Sequence, residues 1–353
     1  EAYMAALFAE IGGRAKDYSD RTVTSIFIGG GTPSLLSGEQ IGQLMDRIRE
    51  QFAMAQDAEI TMEVNPGTAS AEKLRNFYTA GINRLSIGMQ SAQAEELKNL
   101  GRIHDFEGFC QVYREAVEAG FTNINVDVMS GLPGQTLASY RDTLEKVLHL
   151  EPMPQHISAY SLIVEEGTPF AAMAERGELP LPEEETERAM YEETIEVLAK
   201  YGFHRYEISN YARDGYECRH NVGYWIRRDY LGFGIGAASL IDNVRFQNEK
   251  SLGAYLAHPL ESREEEQTLT VQDRMEETMF LGLRLTRGVS CVDFAEQYGR
   301  TVEEVYGEVI ARNVADGLLT VTERKENQKK DRFLALTKRG LDLSNYVMAQ
   351  FLF

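Results

Sequence analysis

Gly29-Gly30-Gly31-Thr32-Pro33, entered directly from the strand-like run Thr22-Val23-Thr24-Ser25-Ile26-Phe27-Ile28, is the stretch on which the fold turns. Three successive glycines remove every Cβ that would keep a ligand off the backbone, and the Thr and Pro that follow set a polar rim. In α/β proteins the C-terminal ends of the strands are where ligands sit. A glycine triplet is equally compatible with a tight turn. Its meaning depends on whether later strands end in polar groups that converge on the same place.

Outward from this loop the chain alternates strand and helix patterns to about residue 210. A helix over 39–52 is followed by a strand over 59–64 and a helix over 70–80 stopped by Gly81. Next come a strand over 83–89, a helix over 106–119 ended by Gly120, a strand over 122–129 and a helix over 137–150 closed by Pro152. A strand over 155–162, a helix over 183–201 and a strand over 204–209 complete the series. Such alternation predicts βαβ units and a parallel sheet. The strand ends share a signature: Glu63-Val64-Asn65-Pro66-Gly67, then Ser86-Ile87-Gly88-Met89-Gln90-Ser91, then Asp127 with Ser130-Gly131-Leu132-Pro133-Gly134-Gln135. Side chains at the ends of parallel barrel strands face one mouth, which favours a shared small-molecule site over unrelated turns.

From about Glu217 the rhythm changes. A loop-rich stretch through Leu240 contains Gly223, Gly232, Gly234 and Gly236, and helices are predicted over 271–285 and 302–316. Short strands over 318–322 and 333–336 bracket the basic run Arg324 to Arg332, which reads as a solvated loop, and a helix over 338–350 ends the chain. Helices followed by a two-stranded ribbon suggest a winged-helix type of module. The fold class expected is α/β, a partial (β/α)6 barrel over 1–215 with a mainly α, winged-helix-like domain over 216–353.

Composition narrows the function classes. The 353 residues are 43% hydrophobic, enough for full buried cores, and carry a net charge of -19 with no basic stripe, which argues against a nucleic-acid partner. The acidic run Glu183-Glu184-Glu185 with Glu187 follows Pro182 and complements a helix N-terminus. Cys110, Cys218 and Cys291 are odd in number and far apart, which suits a reducing compartment. No apolar run is long enough to span a membrane and no signal-peptide pattern is present, so a cytoplasmic location is expected, with peripheral membrane contact left open.

Taken together, GGGTPS, EVNPG, RLSIGMQS, DVMSGLPGQT, Glu207-Ile208-Ser209-Asn210-Tyr211, Gly282-Leu283-Arg284-Leu285 and Leu336-Thr337-Lys338-Arg339-Gly340 resemble the radical S-adenosylmethionine (SAM) proteins of the oxygen-independent coproporphyrinogen oxidase group. The resemblance covers nearly the whole chain and implies a SAM-binding barrel. By matching motif, Gly30, Gly31 and Thr32 are implied to hold the methionine part of SAM. Glu63 is implied to accept from its ammonium, Gln90 and Arg102 to be further ligands, and Asp127 to accept from a ribose hydroxyl.

The family also holds a [4Fe-4S] cluster on a CxxxCxxC loop ahead of the helix that precedes the GGGTP strand. No such motif occurs in this chain, which begins at Glu1 inside the helical pattern 2–15. Loss of the natural start is the expectation, and the chain as it stands is expected to be inactive in radical chemistry. His220-Asn221-Val222-Gly223-Tyr224-Trp225, preceded by Cys218, resembles the HNxxYW signature of the group's haem-chaperone branch. It offers an imidazole for haem iron and two aromatics for a porphyrin face, making His220, Tyr224 and Trp225 the haem-binding candidates. The resemblance implies a haem carrier with haem as cargo and an unidentified acceptor protein. The alternative it leaves is an oxidase that decarboxylates coproporphyrinogen III through a 5'-deoxyadenosyl radical.

Overall fold

A computed structural model describes residues 1–261, 263–326 and 329–353. The first half follows the predicted alternation. In chain order, α1 (Ala2–Arg14), β1 (Thr22–Ile28), α2 (Gly38–Gln51), β2 (Ala53–Val64), α3 (Ala71–Thr79) and β3 (Arg84–Gln90) lead into α4 (Ala94–Asn99) and α5 (Phe106–Glu118). They are followed by β4 (Ile124–Ser130), α6 (Leu137–Leu148), β5 (His156–Ser161), α7 (Pro169–Glu175), α8 (Glu184–Lys200), β6 (His204–Arg205) and β7 (Asn210–Ala212). The seven strands form one sheet in the order β1-β2-β3-β4-β5-β7-β6, curled into a half-barrel. β1 to β5 are parallel.

The sheet departs from the usual parallel pattern, in which both faces are apolar. On the convex face Ile60, Met62, Leu85, Ile87, Ile124, Val126 and Ile157 pack against Ile41, Met45, Phe77, Phe109 and Leu144 of the surrounding helices. On the concave face the alternate residues are polar: Glu59, Thr61, Arg84, Ser86, Asn125, Asp127, His156 and Ser158. The period of two therefore separates a helix-covered core from a polar interior. The last predicted strand, 204–209, is instead a short hairpin: β6 and β7 are antiparallel to each other, and β7 runs antiparallel to β5. Glu207-Ile208-Ser209 makes the turn because the buried Glu207 carboxylate collects the Ser209 N–H (2.9 Å) and the Asn210 amide.

After the half-barrel, α9 (Arg219–Trp225) is followed by β8 (Ala238–Ile241), β9 (Val244–Asn248), α10 (Leu252–Ala257) and β10 (Arg263–Thr268). The loop-rich reading of 217–240 is thus corrected by a helix across the HNxxYW residues. The three strands form a sheet in the order β10-β9-β8, tied to α1 by buried polar contacts. Glu10, fully buried, accepts from the Gly234 N–H (2.8 Å), Asn248 Nδ2 (2.7 Å) and the Tyr255 hydroxyl (2.7 Å), and pairs with Arg14 at 2.8 Å.

The C-terminal part comprises α11 (Val271–Gly282), β11 (Val289–Ser290), α12 (Cys291–Tyr298), α13 (Val302–Ala315), β12 (Leu319–Glu326), β13 (Lys329–Leu336), α14 (Lys338–Asp342) and α15 (Ser344–Ala349). Helix, strand, two helices and a hairpin, with sheet order β11-β13-β12, give the expected winged-helix arrangement around its own apolar core. The basic run does not form a long loop. β12 and β13 extend through most of it because opposite charges face each other across the strands, Glu323 opposite Arg332 and Arg324 opposite Asp331. Asn327 and Gln328 of that run lie outside the described residues.

Candidate functional site

The C-terminal ends of β1 to β5 build one mouth. At the end of β1, Gly30 and Gly31 adopt φ of +84° and +68°, and no atom lies within 4 Å of where a Cβ would stand on either. Both the left-handed backbone and the empty space are glycine's doing. Gly29 is constrained differently, since a Cβ there would lie 2.9 Å from the Phe27 ring and 3.0 Å from the Glu63 carboxylate. The Gly30 N–H donates to Glu63 Oε2 at 3.2 Å, joining the loop to the end of β2. Thr32 is half-buried, and its carbonyl accepts from the Leu35 N–H at 3.0 Å.

The loop is braced from beneath. Ser34, fully buried, bonds Thr68 Oγ1 (2.6 Å) and accepts the Asn65 N–H (3.0 Å). The Lys73 ammonium donates to the carbonyls of Ser34 (2.8 Å), Leu35 (3.2 Å) and Thr68 (3.2 Å). GGGTPS and EVNPGT are therefore one hydrogen-bonded unit, which leaves the glycine backbone open and its support fixed.

At the end of β3 the chain bulges between Gly88 and Gln90, and Gln90 takes φ +69°. Gly88 makes this turn-in feasible: a Cβ there would sit 2.9 Å from Gln90 Nε2. The buried Gln90 amide then accepts from the Tyr160 hydroxyl at the end of β5, at 3.0 Å. Asp127 on β4 accepts from Asn125 Nδ2 at 2.7 Å and faces Ser86 Oγ at 3.4 Å. Burial pushes its carboxyl up to about 6, helped by the nearby Glu63 charge, and burial also raises Glu63. Arg102, half-buried on the loop after α4, is near enough to influence Tyr160 and His104 electrostatically.

Glu63 thus touches the glycine loop, Gln90 and Asp127 meet at Gly88 on the neighbouring strands, and Arg102 lies on the loop after α4. Sequence reading missed the layer beneath them. Asn125 Oδ1 receives the Ser158 hydroxyl (3.1 Å) and is bonded to His156 Nδ1 (2.6 Å), whose Nε2 is bonded to the Tyr206 hydroxyl (2.9 Å). The Tyr206 oxygen in turn accepts the Cys218 N–H at 3.3 Å. Burial keeps the His156 imidazole neutral, with both nitrogens bonded. The signal that marks these residues is the alternation of polar and apolar positions in RLSIGMQ, INVDVMS and HISAYS.

α9 closes the interior from the β1 side. The Glu59 carboxylate, buried on β2, accepts the backbone N–H groups of Arg219 and His220, both at 3.0 Å, so a strand residue caps the helix. His220 Nδ1 is bonded to Ser25 Oγ at 3.0 Å and Nε2 to the Tyr224 hydroxyl at 3.1 Å, with Phe27 5.2 Å from the ring centre. Burial lowers the His220 imidazole's pKa. The two aromatics of the motif do not share a face: Tyr224 meets His220 and Tyr230, whereas Trp225 lies under the Arg284 guanidinium, 4.3 Å from its ring centre.

Comparison with known proteins agrees with this architecture. Residues 4–147 match the radical SAM superfamily and residues 269–343 the HemN C-terminal domain. The Heme chaperone HemW of Bacillus subtilis is 38% identical, covering 100% of this chain and 91% of that protein. The Heme chaperone HemW of Escherichia coli is 37% identical over 85% of this chain and 78% of that one. Among solved structures, the radical SAM coproporphyrinogen III oxidase HemN of Escherichia coli is similar with a TM-score of 0.83 and 26% identity, covering 99% of this chain and 82% of that one. With full coverage at this identity, the chain belongs to the HemW family within the radical SAM superfamily.

Proposed function

We propose that this protein is a haem chaperone: it binds haem, hands it to an acceptor protein, and uses the half-barrel mouth to bind SAM. The observation that carries the haem part is His220. Its imidazole is oriented by Ser25 and kept neutral by burial, and among the described residues its outer nitrogen is bonded only to the hydroxyl of Tyr224, a residue 36% exposed. Rotation of that phenol outward would free Nε2 for iron. Trp225, the motif's other aromatic candidate, stacks on Arg284 rather than beside His220. Relatives matched over the whole of this chain are heme chaperones by name, which supports the same reading.

Superfamily membership carries SAM and a [4Fe-4S] cluster as family cofactors. The residues of the mouth fit SAM. Two half-buried carboxylates, Glu63 and Asp127, have no cation in contact among the described residues, and bare glycine backbone lies beside them. In this reading Gly30, Gly31 and Thr32 receive the methionine portion, Glu63 the ammonium, Gln90 and Arg102 the adjoining groups and Asp127 a ribose hydroxyl. SAM, when bound, would supply the family's radical precursor; the chain's own task is to hold it and exclude water.

The cysteines present do not fit a cluster. Cys110 packs on α5 against the barrel core, Cys218 is buried with Sγ 3.5 Å from Glu59, and Cys291 begins α12. No group of three His, Cys, Asp or Glu suited to a metal ion occurs among the described residues.

We place the boundary between the barrel and C-terminal parts at 215/216, and the protein in the cytoplasm. No helix among the described residues is long and apolar enough to cross a membrane. The likeness to the Escherichia coli oxidase keeps coproporphyrinogen decarboxylation as the second reading. A haem titration followed in the Soret region tests the first: a saturable shift at one haem per chain is expected. No shift, or formation of protoporphyrinogen from coproporphyrinogen III under reducing anaerobic conditions, would overturn it.

A further inference from the structure

Tyr160 continues the concave row of His156 and Ser158 along β5, beside Met129 near the end of β4. Its hydroxyl reaches over β4 and donates to Gln90 Oε1 on β3 at 3.0 Å. Burial, and then the Asp127 carboxylate, raise the phenol's pKa, so it remains a donor. Gln90 is 3% exposed and takes φ +69° at the bulge. That fixes its backbone but not which end of its carboxamide faces the mouth, because the two ends are alike in shape. With Oε1 held by Tyr160, Nε2 lies over Gly88, 2.9 Å from where a Cβ would stand, and Asp127 Oδ2 lies 3.9 Å from the same point. Gln90 Nε2 has no acceptor among the described residues and is not one of the buried atoms sealed from solvent. A donor and a carboxylate thus flank one point above Gly88.

We propose that Tyr160 is a positioning residue of the mouth: by holding Gln90 Oε1 it presents Nε2 beside Asp127, a donor and acceptor pair that selects a ribose hydroxyl. The assignment rests on the reading of the mouth as a SAM site and names the ligand group that Gln90 serves. A hydroxyl both accepts and donates, so it can take the Gln90 N–H while donating to Asp127. With the carboxamide reversed, Oε1 and the carboxylate would offer two acceptors to a group with one proton. Phenylalanine at 160 keeps the ring and removes the constraint.

Equilibrium dialysis of SAM against the wild type, Tyr160→Phe, Gln90→Ala and the double variant makes a double-mutant cycle. SAM affinity should fall about fivefold to tenfold in Tyr160→Phe. The same substitution should have no further effect once Gln90 is Ala, because its influence passes through that amide. A loss caused by ring packing would instead be equal in both backgrounds. Displacement of SAM by adenosine and by 2',3'-dideoxyadenosine gives a second readout. The wild type should prefer adenosine by at least about tenfold, and Tyr160→Phe should narrow that preference. With SAM bound by the wild type, unchanged affinity in Tyr160→Phe, equal losses in both backgrounds or an unaltered preference for the hydroxyls would overturn the positioning role alone. No SAM binding by the wild type would overturn the SAM reading and this assignment with it.

Discussion

The glycine loop after β1 and helix α9 both face the half-barrel, yet they are built on opposite plans. The loop exposes backbone: Gly30 and Gly31 have open space where side chains would be, and the rigidity comes from Ser34, Asn65 and Lys73 beneath. α9 exposes side chains. Its backbone is anchored by a carboxylate from β2, and its histidine is held by a serine from β1. A site for a small charged ligand needs the first plan, because backbone groups must come close. A site that exchanges a bulky ligand needs the second, because one side chain can move while the helix stays fixed.

Glu59→Ala attacks the anchoring of α9 and carries the largest expected effect. It strips a buried acceptor from two N–H groups, and the account expects a loss of about 3 kcal/mol in urea unfolding together with weakened haem binding. Gly31→Val tests the other plan. A β-branched residue at φ +68° is strained and fills the open space, so SAM affinity should fall about 100-fold by equilibrium dialysis while haem binding persists. Comparable loss of both ligands in either variant would erase the distinction between the regions.

Asp127→Asn gives a smaller, pH-dependent effect. The carboxyl's folded pKa, about 6, lies above its unfolded value near 4, so the folded state takes up the proton more readily. Wild-type stability should therefore decline relative to the variant as pH rises from about 4 to about 6 and then level off. The change should be no more than about 3 kcal/mol, read from urea midpoints across that range. A flat difference would show that burial does not tune this group. Ser25→Ala is the mildest: it removes one hydrogen bond to His220, with an expected cost of about 1 kcal/mol and a measurable change in the haem spectrum.

The same contrast explains what was legible in the sequence. The loop has local causes: an apolar strand, three glycines and a proline announce it, and Glu63, Gln90 and Asp127 each stand beside a recognisable strand end. The half-barrel and winged-helix-like parts follow from periodicity for the same reason. α9 has tertiary causes. Gly223 lies within it and its N-terminus is capped by Glu59, 160 residues upstream of Arg219, so no local capping signal precedes it and the segment reads as a loop. The β6–β7 hairpin was obscured similarly, since the Glu207 carboxylate that turns it resembles any strand residue in HRYEIS. Trp225 was identified as a motif residue, but its separation from Tyr224 onto another face depends on Arg284, nearly 60 residues later.

The most direct test of the two-plan account is one haem titration across three proteins, the wild type, His220→Ala and Gly31→Val, followed in the Soret region. The account predicts one saturable site per chain in the wild type and Gly31→Val, with affinity at least about tenfold weaker in His220→Ala. No Soret change in the wild type, or equal affinity in His220→Ala, would contradict it.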